Sequence, residues 1–167
     1  MDKRRENTIK TIKQTYINMV VNKEAINVRA LVRKANINKS IFYRYYTYIE
    51  ELEDELITQL AEKIYTESDN GGHDNFVENY FYVYEQVLTP EEKALFRKHP
   101  HRITDSLVQI ALIHFKKKYP DPNQQLILYI IATGCITLFL NNNYTREERR
   151  NAIISVGRSF KRFLDEK

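Results

Sequence analysis

Apolar residues in the first third of the chain recur at helical spacing. One stripe consists of Ile9, Ile12, Tyr16, Met19 and Val20, and a second, shorter stripe consists of Val28, Leu31, Val32 and Ala35. Spacings of three and four residues place each set on one face of a helix. No segment shows the apolar/polar alternation of a strand, so the pattern predicts an all-α protein.

Helix starts are marked further along the chain. Each consists of a Thr or Asp with a Glu or Gln three residues later, so that side chain and backbone can cap each other. The pairs are Thr47 with Glu50, Thr89 with Glu92, Asp121 with Gln124, and Thr145 with Glu148. With the apolar spacing they predict helices near 48–67, 73–88, 90–98, 103–119, 122–141 and 146–165. Together with three short N-terminal helices, this gives about nine.

Charge is distributed unevenly along the 167 residues. Residues 1–48 hold eleven Lys and Arg against three acidic residues, a net charge of +8, whereas the remainder holds 15 against 19, a net charge of −4. A basic head on a mildly acidic body indicates a polyanionic partner for the head. A solvated basic surface is the alternative explanation.

Cys135 is the only cysteine, so no disulfide can form within the chain and a reducing compartment, the cytoplasm, is expected. The charged N-terminus shows no secretory signal. The longest apolar run, 126–140, is about fifteen residues long, whereas roughly twenty are needed to span a bilayer. We therefore expect no membrane segment.

Residues 36–38, Asn-Ile-Asn, predict a tight turn between the second helix and a third. Asn36 tolerates the left-handed conformation that such a turn needs. Asn27 is placed to cap the second helix, and Asn38 is placed to cap the third. Two short helices joined by such a turn are typical of a helix-turn-helix, whose second helix enters the major groove of DNA.

These segments carry a family resemblance. Residues 9–56 resemble the DNA-binding domain of the TetR family of bacterial transcriptional regulators. The matching elements are the second helix, 28–35, the third helix, 38–46, of form N-x-S-x-F-Y-x-Y-Y, and the following Glu50-Glu51-Leu52. Two positions depart from the family pattern: Asn36 replaces the usual turn glycine, and Ile49 stands where a phosphate-contacting lysine is common.

The resemblance implies a repressor that binds a palindromic operator in double-stranded DNA as a homodimer and is released by a small-molecule effector. It implies a DNA-binding domain at 1–48 and a helical effector-binding and dimerisation domain at 49–167. Among TetR-like proteins, some, including ones associated with dihydroxyacetone kinase regulation, act through a partner protein. A co-regulator of that kind is the alternative function.

Position by position, the resemblance implies a set of DNA contacts. The set is Asn27, Arg29, Asn38, Lys39, Ser40, Ile41, Tyr43, Arg44 and Tyr45. Within it, Asn27, Arg29 and Tyr43 correspond to phosphate contacts, and Lys39, Ser40 and Ile41 correspond to base contacts. Core packing is the alternative for Phe42 and is favoured for Tyr45 and Tyr46. Residues 3–5, Lys-Arg-Arg, form either a disordered basic tail or an arm in the minor groove.

The last two predicted helices occupy the place of the family's dimer interface. The interface residues that the resemblance implies are Thr133, Gly134, Thr137, Ile153, Val156, Gly157 and Phe160. The helix at 122–141 is apolar on every face, so we expect other helices to cover it on all sides.

An aromatic-rich region precedes and includes these helices, and in the family the corresponding region encloses an effector pocket. The candidate pocket residues are Tyr80, Phe81, Tyr84, Ile110, His114 and Tyr129. An ordinary aromatic core is an equal alternative, and His114 is more commonly hydrogen-bonded inside a core.

No enzyme motif is present. Residues 99–101, His-Pro-His, offer two imidazoles, but Pro100 suggests a loop and no third ligand is spaced for a zinc site. There is no glycine-rich phosphate loop and no nucleophile elbow. We therefore predict a non-enzyme with no catalytic residues, no metal and no cofactor.

Overall fold

The computed structural model describes residues 3–71, 76–118, 120–140 and 143–165. Within these ranges the chain is helical throughout and has no strand, which confirms the all-α prediction. The nine α-helices of the described part are α1 (Lys3–Val21), α2 (Val28–Lys34), α3 (Lys39–Tyr43), α4 (Ile49–Asp69), α5 (Phe76–Tyr82), α6 (Pro90–Lys98), α7 (Pro100–Lys118), α8 (Pro122–Leu140) and α9 (Arg146–Asp165). A π-helical turn, Val83–Val87, follows α5 directly.

The chain divides into two compact units. The first comprises Met1–Gln59 and Thr89–His99, and the second comprises Leu60–Leu88 and Pro100–Lys167. The first unit thus contains α1, α2, α3 and α6, and α4 contributes to both. The boundary after residue 48, between a DNA-binding domain and an effector-binding and dimerisation domain, stays a prediction.

The apolar stripes of α1 and α2 form much of the first unit's core. Ile12, Tyr16, Met19 and Leu31 are at most 1% exposed. Helix α6 packs against α1, and its Leu95 and Phe96 are buried. The helical periodicity read from the sequence is therefore confirmed by burial.

Two of the predicted caps are present as expected. Thr89 and Glu92 form a reciprocal capping box at the start of α6, and Glu148 accepts from the Thr145 backbone N–H at 2.8 Å. At α4 the prediction was one residue off, because the helix begins at Ile49. Glu51, instead of Glu50, is then the third helical residue, and its carboxylate accepts from the Thr47 N–H at 2.6 Å.

Three other element boundaries differ from those predicted. Helix α7 begins at Pro100 instead of near residue 103, so the expected loop at Pro100 is wrong. Proline is well suited to the first turn of a helix, where its missing N–H has no partner to lose. The predicted helix 73–88 is divided between α5 and the π-helical turn. Its predicted start, and the predicted ends at 119 and 141, lie outside the described residues.

The second unit is built around α7, α8 and α9, with α5 packed on α9. Phe81, Ile153 and Ile154 form a buried cluster, and the half-buried Cys135, Leu138 and Phe139 pack against it. Burial raises the pKa of the Cys135 thiol, so it stays protonated near neutral pH. Within the described ranges, no helix combines the length and the apolar character needed to cross a membrane.

Candidate nucleic-acid interface

The turn between α2 and α3 has the predicted backbone geometry. Asn36 lies in the left-handed region, with φ of 53°. The Ile37 N–H then donates to the Val32 carbonyl at 3.0 Å, which closes the end of α2. At the other end of α2, the Asn27 side chain accepts from the Ala30 N–H at 2.9 Å, which confirms the predicted cap. The acceptor in this cap is the side-chain oxygen of Asn27, Oδ1.

Helix α3 is shorter than the predicted 38–46, because it ends at Tyr43 and the next two residues form a turn. Asn38 takes the N-cap position, as predicted, but its side chain makes no capping hydrogen bond. The third helix is therefore about one and a half turns long and is followed by a turn.

Exposed residues on α3 and directly after it form a polar surface. Lys39, Ser40, Tyr43 and Arg44 are all exposed, and Tyr43 is 54% exposed. At about 100° per residue, these four positions spread over about 140° of the helix circumference and so lie on one side of it. Arg29 on α2 is also exposed. We call Lys39, Ser40, Tyr43 and Arg44 the α3 face.

The remaining residues of this segment hold α3 in place. Phe42 is fully buried, so its side chain packs in the core, which was one of its two predicted roles. Tyr46 is 5% exposed, which confirms its packing role. Ile41 and Tyr45 are half-buried, and the Arg5 guanidinium lies 6.0 Å from the centre of the Tyr45 ring. Tyr45 therefore offers DNA less surface than Tyr43 does.

The basic residues at the start of the chain are helical. Helix α1 begins at Lys3, so residues 3–5 are not a disordered tail, whereas the minor-groove arm stays a prediction. Their charges are instead fixed on the first turn of a helix, and Arg5 lies beside Tyr45.

A charged network holds α1, α4 and the end of α3 together. Glu55 accepts from Lys13 Nζ and from the Tyr46 hydroxyl, each at 2.7 Å. Burial raises the pKa of Glu55, but the hydrogen bonds from Lys13 and Tyr46 outweigh it and leave the pKa below its ordinary value. Glu55 is therefore ionised at neutral pH and anchors the segment that follows α3.

A second network, more deeply buried, was not predicted from the sequence. The Tyr16 hydroxyl donates to Glu53 at 2.5 Å and lies 3.2 Å from His99 Nε2. Glu53 and Tyr16 are both buried. The network ties α1 to α4 and to the end of α6, so one of the two imidazoles considered for metal binding has a structural partner instead.

In the second unit, three of the candidate pocket residues come together. Tyr80, Phe81 and Tyr84 surround Phe139, with ring centres 5.6, 5.7 and 5.5 Å from its own. The Tyr80 hydroxyl is buried and has no hydrogen-bond partner among the described residues. Burial raises the pKa of Tyr80, so the hydroxyl keeps its proton and remains a donor. A buried donor without a partner is uncommon and calls for an explanation.

The other three candidates lie elsewhere. Tyr129 is 45% exposed on the surface of α8. His114 is exposed and stacks on Tyr65, with ring centres 4.6 Å apart, so it is not a buried core histidine. Ile110 is half-buried on α7. Of the six candidate pocket residues, the structure thus brings only Tyr80, Phe81 and Tyr84 together in one cluster.

The candidate interface residues also fall into two groups. Ile153 and Gly157 are buried within the single chain, whereas Gly134, Thr137 and Val156 are exposed and Thr133 is half-buried. The side chain of Phe160 lies outside the described part.

One face of α8 is apolar and exposed in the described part of the single chain, so the other helices of this chain do not cover α8 on all sides. Leu126, Tyr129 and Ile130 are 62%, 45% and 67% exposed. Their positions share a helical face with Thr133, Gly134 and Thr137, and a Cβ placed on Gly134 would meet no atom within 4 Å. We call these six residues the α8 face. Leu126 and Ile130 were not among the predicted interface residues.

No group of three His, Cys, Asp or Glu side chains comes together as a metal site within the described ranges.

Comparison with known proteins gives a fold relationship. No protein-family model matches this sequence, and no curated protein matches it significantly. Among solved structures, the chain is similar to SCO7518 from Streptomyces coelicolor A3(2), a proposed transcriptional regulator. The TM-score is 0.56 at 16% sequence identity, and the match covers 90% of this chain and 98% of that one. The two chains therefore share a fold.

Proposed function

We propose that this protein is a TetR-like transcriptional regulator, a repressor, that binds a palindromic operator as a homodimer. The observation that carries the proposal is that α3, with the residue directly after it, buries one side chain and exposes four others. Phe42 is fully buried beneath it, while Lys39, Ser40, Tyr43 and Arg44 face outward together. A net charge of +8 on residues 1–48 suits a phosphate backbone. The shared fold with a proposed transcriptional regulator agrees with this function.

The α8 face supports the homodimer. Large apolar side chains that lie together on a surface are typical of interfaces, and a two-fold dimer matches two half-sites about one DNA turn apart. Val156, on the helix α9 that packs against α8, is also exposed. We assign the α8 face to a second copy of this chain.

The first experiment is a fluorescence anisotropy titration against DNA fragments from the vicinity of the gene. Binding that weakens steeply with salt and is stronger for one palindrome supports the proposal. If no fragment binds and a partner protein is recovered with the chain instead, the co-regulator alternative replaces the repressor.

Tyr43→Phe tests the geometry of the α3 face. Removing the hydroxyl is expected to cost about 1 kcal/mol of operator binding, roughly a fivefold loss of affinity, because one phosphate hydrogen bond is lost. Tyr144→Phe is the matched control, since Tyr144 is 52% exposed but belongs to the second unit. Equal affinity of the Tyr43 variant and the wild type would remove Tyr43 from the interface.

An effector site in the second unit is the next part of the proposal. The buried Tyr80 hydroxyl lacks a partner among the described residues and lies in an aromatic cluster. A flat, apolar effector with a hydrogen-bond acceptor would satisfy it. The adjoining π-helical turn supports this assignment, because such turns are frequent at functional sites.

Tyr80→Phe is expected to leave the free energy of unfolding unchanged or to raise it by up to about 1 kcal/mol, because it removes a donor that is buried without a partner. Tyr46→Phe is the control, since its hydroxyl donates to Glu55 at 2.7 Å. This control should lower stability by about 1 kcal/mol. Urea unfolding of both variants measures the difference, and a clear destabilisation by Tyr80→Phe would show that the hydroxyl already has a partner in the free protein.

A further inference from the structure

A basic groove runs along α9 in the second unit. Three arginines line it, Arg150, Arg158 and Arg162, together with the polar side chains of Asn151, Ser155 and Ser159. Ile154, which is 8% exposed, also contributes to its wall. We call these lining residues the α9 groove.

Two of the three guanidinium groups have their positions fixed by contacts within the second unit. Arg158 Nε donates to Glu78 at 2.6 Å, and the Arg150 guanidinium lies 5.9 Å from the centre of the Phe81 ring. Side chains already held in place lose less conformational entropy when a ligand binds. These contacts hold two of the groove's guanidinium groups in place before a ligand binds.

The lining of the groove is cationic even after the Glu78 carboxylate, which pairs with Arg158, is counted. Three arginines against Glu78 leave a net charge of +2. Arginine presents a planar set of N–H donors that matches the oxygens of phosphate, and such charge-assisted hydrogen bonds are stronger than neutral ones. Ser159 donates its own hydroxyl to the Ser155 carbonyl at 3.0 Å, so the guanidinium groups are the main donors to a ligand.

The groove arginine Arg158 and the exposed Val156 lie on different sides of α9. Successive helical residues are rotated by about 100°, so Arg158 lies about 160° around α9 from Val156. A ligand held by Arg158 would therefore lie on the side of α9 opposite Val156.

We propose that the α9 groove binds a soluble phosphate-bearing ligand, with Arg158 and Arg162 on its phosphate oxygens and Arg150 on a second anionic group. Arg158 and Arg162 are one helical turn apart, which lets both reach one phosphate, and Arg150 lies two turns away. The site does not depend on the proposed DNA-binding function.

Isothermal titration calorimetry of the full chain with inorganic tripolyphosphate tests the site. Wild type should bind, and Arg162→Gln should weaken binding about tenfold through loss of one charge-assisted contact. Arg158→Gln should have a similar effect, but it also unpairs Glu78, so Arg162→Gln is the primary variant. Circular dichroism checks that each variant is folded.

Arg146→Gln is the matched control. Arg146 is also on α9, is 69% exposed like Arg158, and pairs with Glu85 at 2.6 Å, but it does not line the groove. It should bind tripolyphosphate as wild type does. Absence of wild-type binding, or equal weakening by Arg146→Gln and Arg162→Gln, would overturn the site.

Two further measurements distinguish a soluble phosphate ligand from a lipid headgroup and from DNA. Co-sedimentation with vesicles containing phosphatidic acid, without binding of tripolyphosphate, would assign the groove to a lipid headgroup and overturn the soluble ligand. Operator affinity should be the same for Arg162→Gln and wild type. If DNA binding falls with Arg162→Gln, the groove is a second nucleic-acid surface and the proposal is wrong.

Discussion

Replacing Phe42 by alanine should lower the free energy of unfolding by about 3–5 kcal/mol, the usual cost of deleting a fully buried aromatic side chain. Phe42 is 0% exposed, and its ring lies 5.6 Å from that of Tyr46. The variant loses this packing and leaves a cavity beneath α3. Because a stable domain has only about 5–15 kcal/mol to lose, this change removes a large fraction of its stability.

Urea denaturation followed by circular dichroism measures the loss, and operator affinity should fall with it. Tyr43→Ala is the control, since the neighbouring Tyr43 is 54% exposed and its removal should change stability by less than about 1 kcal/mol. A loss of stability for Phe42→Ala no greater than for this control would contradict the packing described for α3.

Replacing Ile130 by aspartate is expected to convert the proposed dimer to a monomer. Ile130 is 67% exposed at the centre of the α8 face. In a dimer its side chain would be buried against the second copy, and an unpaired carboxylate there would be strongly destabilising. A monomer contacts one half-site only, so we expect operator affinity to fall at least about a hundredfold, a difference of about 2.8 kcal/mol.

Sedimentation velocity measures the oligomeric state of this variant. Ile130→Leu keeps the apolar surface and should remain dimeric with wild-type operator affinity. If the wild type itself sediments as a monomer, or if Ile130→Asp remains a dimer, the α8 face is not the interface.

Periodicity in the sequence was sufficient for the long elements. The stripe on α1 is buried as predicted, because 19 residues give the helical repeat room to appear. Helix α3 has only five residues, too few for a period to show which face is buried. Whether Phe42 is buried or exposed therefore depends on tertiary packing, which the local sequence does not encode.

The candidate sites show a similar limit. Tyr80, Phe81 and Tyr84 cluster because they are close in sequence, whereas Ile110, His114 and Tyr129 belong to other helices whose rotation the sequence left open. Glu53 was not predicted to bond Tyr16, because that contact joins residues 37 positions apart. The uniformly apolar composition of α8 predicted burial but not the partner that would supply it.

The left-handed Asn36 has a consequence for how such turns evolve. The backbone requires a positive φ at this position, not glycine itself, and asparagine meets that requirement at modest cost. A turn of this kind can therefore be formed by asparagine as well as by glycine. Sequence patterns that insist on glycine at this position will then pass over chains whose turn geometry is intact.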